Sequence, residues 1–218
     1  MNIVIDGNIG SGKTTQLGLL EKKGWKVQRE PIDQWPLDDF YKDPKRWAFL
    51  LHMMILKTLQ PKKSRTHVLL ERGLMSSRHV FWPVLVKQGC ATPEEDRTYS
   101  YFYDKTAWYP DLYIYLAKSP EKAFEHIQSR HQAGDSGVTL EYLKKLDVEY
   151  KKLIRNVPCK VIIVNAERSV EEIHTEICRH LSENELFFGD SKREQVPAQG
   201  DRRREVPCTS IAHMCCVS

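Results

Sequence analysis

Short apolar runs alternate with stretches in which apolar residues recur every three or four positions, and this rhythm holds to about residue 182. The runs at residues 3–5, 25–29, 67–70, 111–116 and 160–164 have the length and the β-branched or aromatic content of buried strands. Between them the helical period appears over residues 16–23, closed by Gly24. It returns over residues 44–59, where Asp43 stands as N-cap, Pro44 at the first position and Pro61 beyond the end. Further helices are predicted over residues 74–87, over 94–108 after Thr92-Pro93, over 120–130 after Ser119, over 139–155 and over 170–181. Strand, helix and strand within the first thirty residues form the crossover unit of a parallel sheet. The whole pattern predicts an α/β fold in three layers: a doubly wound, five-stranded parallel sheet with helices on both faces. Gly134-Asp135-Ser136-Gly137 interrupts the series. From Glu183 the period is lost, with Gly189, Pro197, Gly200 and Pro207 punctuating a polar stretch. One domain, residues 1–182, followed by a disordered tail, residues 183–218, is therefore expected.

Composition narrows the function. At 218 residues and 41% apolar content the chain can bury one full core. Its net charge of +4 is small, and 29 acidic residues are interspersed with the basic ones. That balance argues against nucleic acid as a partner and leaves an anionic small substrate open. No run approaches the ~18 apolar residues of a membrane span, and the first strand begins at Asn2, so the cytosol or nucleus is the expected compartment. Six cysteines, at positions 90, 159, 178, 208, 215 and 216, lack paired metal-ligand spacing and are expected to be reduced.

The strongest chemical signal follows the first strand. Gly7-Asn8-Ile9-Gly10-Ser11-Gly12-Lys13-Thr14 fits the loop that wraps nucleotide phosphates. Its glycines allow a turn that aims backbone N–H groups at an anion, Lys13 adds a positive charge, Thr14 offers a hydroxyl for magnesium, and a helix begins at the site. A sheet of this type binds ligands beyond the carboxyl ends of its strands. Two other ends carry ionisable groups there: Glu30 after the second strand and Glu71-Arg72 after the third. On position alone Glu30 reads equally well as a base for an acceptor hydroxyl and as a surface carboxylate in a turn. Glu71 and Arg72 read as a magnesium ligand with a phosphoryl clamp, or as an ion pair closing a strand.

Gly7 to Thr15, Glu30-Pro31-Ile32-Asp33-Gln34-Trp35, Tyr41-Lys42-Asp43-Pro44-Lys45-Arg46-Trp47 and Glu71-Arg72 stand in an order and spacing that resemble the deoxynucleoside kinase family over about residues 2–182. That group contains deoxycytidine, deoxyguanosine and mitochondrial thymidine kinases and a multisubstrate insect enzyme. The resemblance implies a P-loop kinase that uses ATP and magnesium to phosphorylate a deoxynucleoside, and a homodimer. It makes Glu30 the base for the 5′-hydroxyl, with Arg72 and Lys13 steadying the transferred group. Thr14 and Glu71 become the magnesium pair, and residues 7–15 with Arg130 the phosphate site. Trp35 and Phe81 would sandwich the base, and Tyr41 would bind the sugar 3′-hydroxyl with Asp135 beside it. Relatives that refuse thymidine carry an acidic residue at the position of Ser77 and an arginine at that of Leu59. Ser77, Leu59 and Ile55 here leave room for a 5-methyl group, which points to thymidine.

Four positions depart from the family pattern. His52 replaces the glutamine that reads the base edge, and one imidazole nitrogen cannot be donor and acceptor at once as an amide can. Gly73 replaces a serine, the lid over the phosphates keeps Arg130 alone among its arginines, and Asp135 is one methylene shorter than the family's glutamate. Two rivals remain: thymidylate kinase, which continues differently after the second and third strands, and a nucleotide-binding regulator without transferase activity. The retained Glu30 argues against the regulator. The last four residues, Cys215-Cys216-Val217-Ser218, fit a prenylation signal loosely, with a plain cytosolic tail as the alternative.

Overall fold

Period-two alternation within each apolar run divides its side chains between two faces, which explains why the strands lie inside the molecule. The computed structural model describes residues 1–130 and 137–190. Strands β1 (Asn2–Asp6), β2 (Lys26–Gln28), β3 (Val68–Glu71), β4 (Leu112–Ala117) and β5 (Lys160–Asn165) form one parallel sheet in the order β2-β3-β1-β4-β5. Ile3, Ile5, Leu69, Leu112, Ile114 and Leu116 point to one face, under helices α1 (Lys13–Lys22) and α9 (Val170–Asp190). Val4, Val68, Leu70, Tyr113 and Tyr115 point to the other, under α8 (Leu140–Ile154) and the helical stretch after β3. Each fully buried Leu or Ile in these layers contributes roughly 1.5–3 kcal/mol. The expected doubly wound, three-layer sheet is therefore present, with β1 at its centre and the chain building outward on either side.

Several boundaries differ from the sequence reading for identifiable reasons. Helix α1 begins at Lys13, because the end of the glycine loop is already its first turn. A 3₁₀ turn (Ile32–Gln34) and helix α2 (Leu37–Lys42) occupy a stretch to which the sequence pattern assigns no element, each being too short for a helical period to show. Helix α3 (Pro44–Thr58) starts where predicted, its N-cap Asp43 accepting from the Arg46 N–H at 3.3 Å. The single helix expected over 74–87 is instead α4 (Leu74–Ser76), a π-turn (Ser77–Phe81) and α5 (Trp82–Lys87). Pro83 has no N–H for the carbonyl of His79, and its ring would crowd that carbonyl, so a regular α-helix cannot pass through this point. Helix α6 (Pro93–Thr106) carries a complete capping box between Thr92 and Glu95, and α7 (Pro120–Arg130) follows β4.

Residues Met1–Ser182 form one compact unit. Helix α9 runs to Asp190, past the end expected at residue 181. Residues 183–190 of the tail expected to be disordered are thus helical, while its residues 191–218, with the signal at Cys215, and Asp135 lie outside the described residues. Among those described, Cys90, Cys159 and Cys178 are free thiols, and no helix is long and apolar enough to cross a membrane.

Helices α3 and α6 pack beside the sheet around Leu56, Leu59, Leu74, Trp82, Tyr99 and Tyr103. His52 of α3 is 2% exposed there, with its ring edge-on to Trp82 and Tyr99. Burial lowers its pKa from 6.5 to about 3. A folded-state pKa below the unfolded one contributes stability that is intact above 6.5 and is lost as pH falls toward 3, at up to ~1.4 kcal/mol per pH unit. We therefore expect the Tm to drop between pH 6.5 and pH 5 by roughly 4–8 °C more in the wild type than in His52→Gln. Parallel Tm profiles from calorimetry would show that the ring is not held neutral.

Candidate active site

The ends of β1 and β3 and the segment after β2 converge on one cavity of about 340 Å³, a size that suits a small ligand. The glycine loop forms its floor. Gly12 adopts a left-handed φ of 95° before α1 starts. A Cβ on Gly10 would stand 2.5 Å from the Ala123 carbonyl oxygen and 2.8 Å from Ile127, so α7 can lie against the loop only at a glycine. His126 of α7 meets the Gly10 carbonyl oxygen through Nδ1 at 2.8 Å. Lys13 donates through Nζ to the Gly7 and Asn8 carbonyls at 3.0 and 2.9 Å. Asn8 in turn donates to the Leu143 carbonyl at 2.9 Å and accepts the Ile9 N–H at 2.9 Å. Ile9, Gly10, Gly12, Lys13, Thr14 and Thr15 line the cavity, while Gly7, Asn8 and Ser11 shape the loop from within. The Ser11 hydroxyl oxygen is buried and has no protein partner among the described residues.

The charged residues stand together above that floor. Thr14 donates through Oγ1 to Glu71 Oε1 at 2.6 Å, and Glu71 is 5% exposed. Two hard oxygens beside a phosphate-shaped loop fit Mg²⁺, which takes one or two protein oxygens and fills its remaining positions with water and phosphate. Among the described residues no cluster of three or more carboxylates, histidines or thiols offers a closed metal cage. Arg72 donates through Nη1 to Glu30 Oε2 at 2.7 Å, each side chain being 11% exposed. Burial, and then repulsion from Glu71, raises the Glu30 pKa against the opposing pull of Arg72 and Lys13. Burial and the neighbouring Arg72 lower the Lys13 pKa to about 7. A carboxylate with raised proton affinity in reach of a cation-lined phosphate loop can accept a proton beside an anion.

The outer wall is aromatic and apolar. Trp35, Tyr41, His52, Ile55, Leu59, Ser77 and Phe81 all line it, and Arg130, the last residue of α7, lines the loop side. Trp35 donates through Nε1 to Thr58 Oγ1 at 2.9 Å, and Phe81 carries the Arg72 guanidinium 5.0 Å from its ring centroid. His52 Nδ1 meets Ser77 Oγ at 3.0 Å, and Ser77 Oγ meets the Tyr99 hydroxyl at 2.9 Å. Tyr99 is fully buried, and Ser77 is its hydroxyl's hydrogen-bond partner. Both hydroxyl protons are satisfied when Tyr99 donates to Ser77 and Ser77 donates to His52. That order leaves the neutral ring with its proton on Nε2, a donor alone, as expected for an imidazole in an amide's place. Gly73 is explained by Trp108: a Cβ there would stand 3.2 Å from the indole, whose Nε1 donates to the Leu59 carbonyl at 3.0 Å.

The structure thus brings the described site residues expected from the sequence to the lining of one cavity, except Gly7, Asn8 and Ser11, which lie within the loop behind it. It adds two groups that the sequence reading passed over. Asp6, the last residue of β1, is fully buried behind Arg72, and Tyr150 of α8 bridges the two. A charge closing an otherwise apolar strand was the available signal for Asp6. Tyr150 gave none, because the helical period placed it among core residues.

Comparison with known proteins agrees with this arrangement. The deoxynucleoside kinase family model matches residues 3–186. Deoxyadenosine kinase of Dictyostelium discoideum is 32% identical over 166 residues, 72% of this chain and 67% of that protein. Mitochondrial thymidine kinase 2 of Homo sapiens is 27% identical over 198 residues, 78% of this chain and 72% of that one. The solved deoxyadenosine kinase from M. mycoides with bound dATP superposes with a TM-score of 0.75 at 25% identity, covering 84% of this chain and 100% of that one. The match runs from the first strand into the last helix, so the chain belongs to the deoxynucleoside kinase family, and it is a kinase.

Proposed function

We propose that the enzyme transfers the γ-phosphoryl group of ATP to the 5′-hydroxyl of a deoxynucleoside and prefers thymidine. The observation that carries the transfer is the Glu30–Arg72 pair, 2.7 Å apart, set in one cavity with Lys13, Thr14 and Glu71. Glu30 takes the proton of the acceptor hydroxyl, and the burial that raises its pKa makes it a better base. Arg72 offers donors to the transferring group while steadying Glu30. Lys13 and the loop N–H groups hold the phosphates, with Arg130 at their edge, so catalysis is positioning and electrostatics. Thr14 and Glu71 would hold Mg²⁺, which would supply positive charge to neutralise the phosphates. Trp35 and Phe81 flank the base, and Tyr41 faces the sugar.

For substrate choice, the support is the uncharged wall. Ile55 and Leu59 are aliphatic, and Ser77 is engaged with His52 and Tyr99, so no charge crowds a 5-methyl group. The His52 Nε2 proton suits a carbonyl such as thymine O4. Relatives with names as different as deoxyadenosine kinase and thymidine kinase have comparable identity, so the pocket's own residues carry this part of the reading.

Four outcomes test it. In Glu30→Gln, which keeps shape but cannot take a proton, kcat should fall on the order of 10²-fold or more with ATP affinity nearly unchanged; near-normal turnover would remove Glu30 from the mechanism. In a panel of the four deoxynucleosides and thymidylate, thymidine should give the highest kcat/KM. Ser77→Asp should lower the thymidine-to-deoxycytidine ratio by about tenfold or more, since a methyl group would meet a buried carboxylate; an unaltered ratio would refute the pocket assignment. Because the Lys13 pKa is about 7 before phosphate arrives, ATP binding should take up a proton at pH 8 and none at pH 6, with affinity declining as pH rises above 7. Calorimetric titrations at pH 8 in two buffers of different ionisation enthalpy should then give different apparent heats, and equal heats would show that Lys13 is already charged.

A further inference from the structure

Arg72 is held in a conformation that its own sequence does not favour. Its φ of 55° makes it the one non-glycine residue among those described in the left-handed region, where a side chain of this size costs about 1 kcal/mol or more. Its backbone N–H donates to the Ile5 carbonyl at 3.0 Å, which fixes the main chain to the end of β1. The guanidinium is then constrained on three edges and one face. Nη1 donates to Glu30 at 2.7 Å, Nη2 approaches the Gly7 carbonyl at 3.4 Å, and Nε donates to the Tyr150 hydroxyl at 3.3 Å, while Phe81 covers the plane.

The third edge leads away from the cavity. Tyr150, fully buried, donates its hydroxyl proton to Asp6 Oδ1 at 2.9 Å. Asp6 is 0% exposed and acts purely as an acceptor, since it also takes the Tyr113 hydroxyl at 2.6 Å and the Gly7 N–H at 2.7 Å. Arg72 Nε lies 3.5 Å from Asp6 Oδ1, its nearest cationic neighbour. A carboxylate at this depth is costly unless it is paired and fully hydrogen-bonded. This one spends both oxygens on the phosphate loop, a strand tyrosine and the tyrosine that touches Arg72.

We propose that Asp6 and Tyr150 are positioning residues for phosphoryl transfer. Tyr150 accepts from Arg72 and donates to Asp6, and this relay sets the rotation of the guanidinium about its Cδ–Nε bond. The same Asp6 oxygen accepts the Gly7 N–H, so one carboxylate orients both the catalytic arginine and the first residue of the loop. Without the phenol oxygen, Nε keeps only Asp6 Oδ1 at 3.5 Å, and one of the three edges that hold the plane toward Glu30 and the transferring group is loosened. The inference rests on the role proposed above for Arg72.

The test is a double-mutant cycle on the full chain, read with ATP, Mg²⁺ and thymidine, with each variant's Tm recorded. Tyr150→Phe removes one oxygen and keeps the ring. It should lower kcat about tenfold with the KM for ATP within about twofold, because loop and binding wall are intact and only orientation is lost. Combined with Arg72→Ala it should cause no further loss, since the relay then has nothing to position. Asp6→Asn, isosteric and still able to accept from Gly7 and Tyr150 while donating to Tyr113, should give the same split at smaller size and serves if Tyr150→Phe is unstable. Tyr150→Phe turnover within twofold of wild type, or an equal further loss in the Arg72→Ala background, overturns the relay while leaving Arg72 catalytic. Wild-type turnover in Arg72→Ala would instead overturn the role of Arg72, and the relay with it.

Discussion

The site depends on the register between β1 and β3. Ile5 lies opposite Glu71, so the next residues of the two segments, Asp6 at the end of β1 and Arg72 just after β3, emerge side by side at the carboxyl edge of the sheet. Opposite charges 3.5 Å apart in a water-poor interior attract far more strongly than they would in solvent. The attraction is usable because their remaining donors and acceptors are satisfied by Tyr113, Tyr150, Gly7 and Glu30. A shift of one residue in either strand would turn Asp6 or Arg72 to the other face of the sheet and dismantle the site.

From that pair the charge pattern spreads outward with a direction. Asp6 lies deepest, Arg72 next, Glu30 beyond it at the cavity wall, and Lys13 with the Thr14–Glu71 pair at the loop. Three carboxylates face two cations here, and burial, aided by repulsion from Glu71 and Asp6, raises the Glu30 pKa despite an arginine 2.7 Å away. Burial and Arg72 act on Lys13 in the opposite sense. These charges are not balanced among themselves, and the polyphosphate and counter-ion of the proposed reaction would balance them, supplying anionic charge beside Lys13 and Arg72 and cationic charge beside Glu71.

The departures from the family pattern have local compensation. Gly73 makes room for Trp108, which in turn ties the end of α3 through the Leu59 carbonyl. His52 is held by Ser77 and Tyr99, so the substitution of an amide by an imidazole is accompanied by two hydroxyls that fix which nitrogen carries the proton. The π-turn at Ser77–Phe81 is the backbone counterpart of this arrangement. Pro83 forces it, and it brings Ser77 and Phe81 from one short segment to the same cavity.

Much of this was legible in the linear chain. The alternation of apolar runs and helical periods dictated a layered parallel sheet, because only strands buried on both faces read as continuous apolar segments. The glycine loop, Glu30 and Glu71-Arg72 were readable because each follows a strand, where ligands bind in such sheets. The short helices, the π-turn and the end of α9 were not, since fewer than about two turns give no measurable period and a proline's effect depends on what the surrounding packing tolerates. Least legible of all was the support behind the site. Asp6 and Tyr150 are separated by 144 positions, and nothing in either residue's neighbours announces the other. Strand order, register and the packing of α8 across the sheet put a phenol between a carboxylate and a guanidinium. The sequence by itself determined which chemical groups were present and at which strand ends they stood. The tertiary structure alone decided which of them touch, because hydrogen bonds and ion pairs act over a few ångströms and only the folded chain sets those distances.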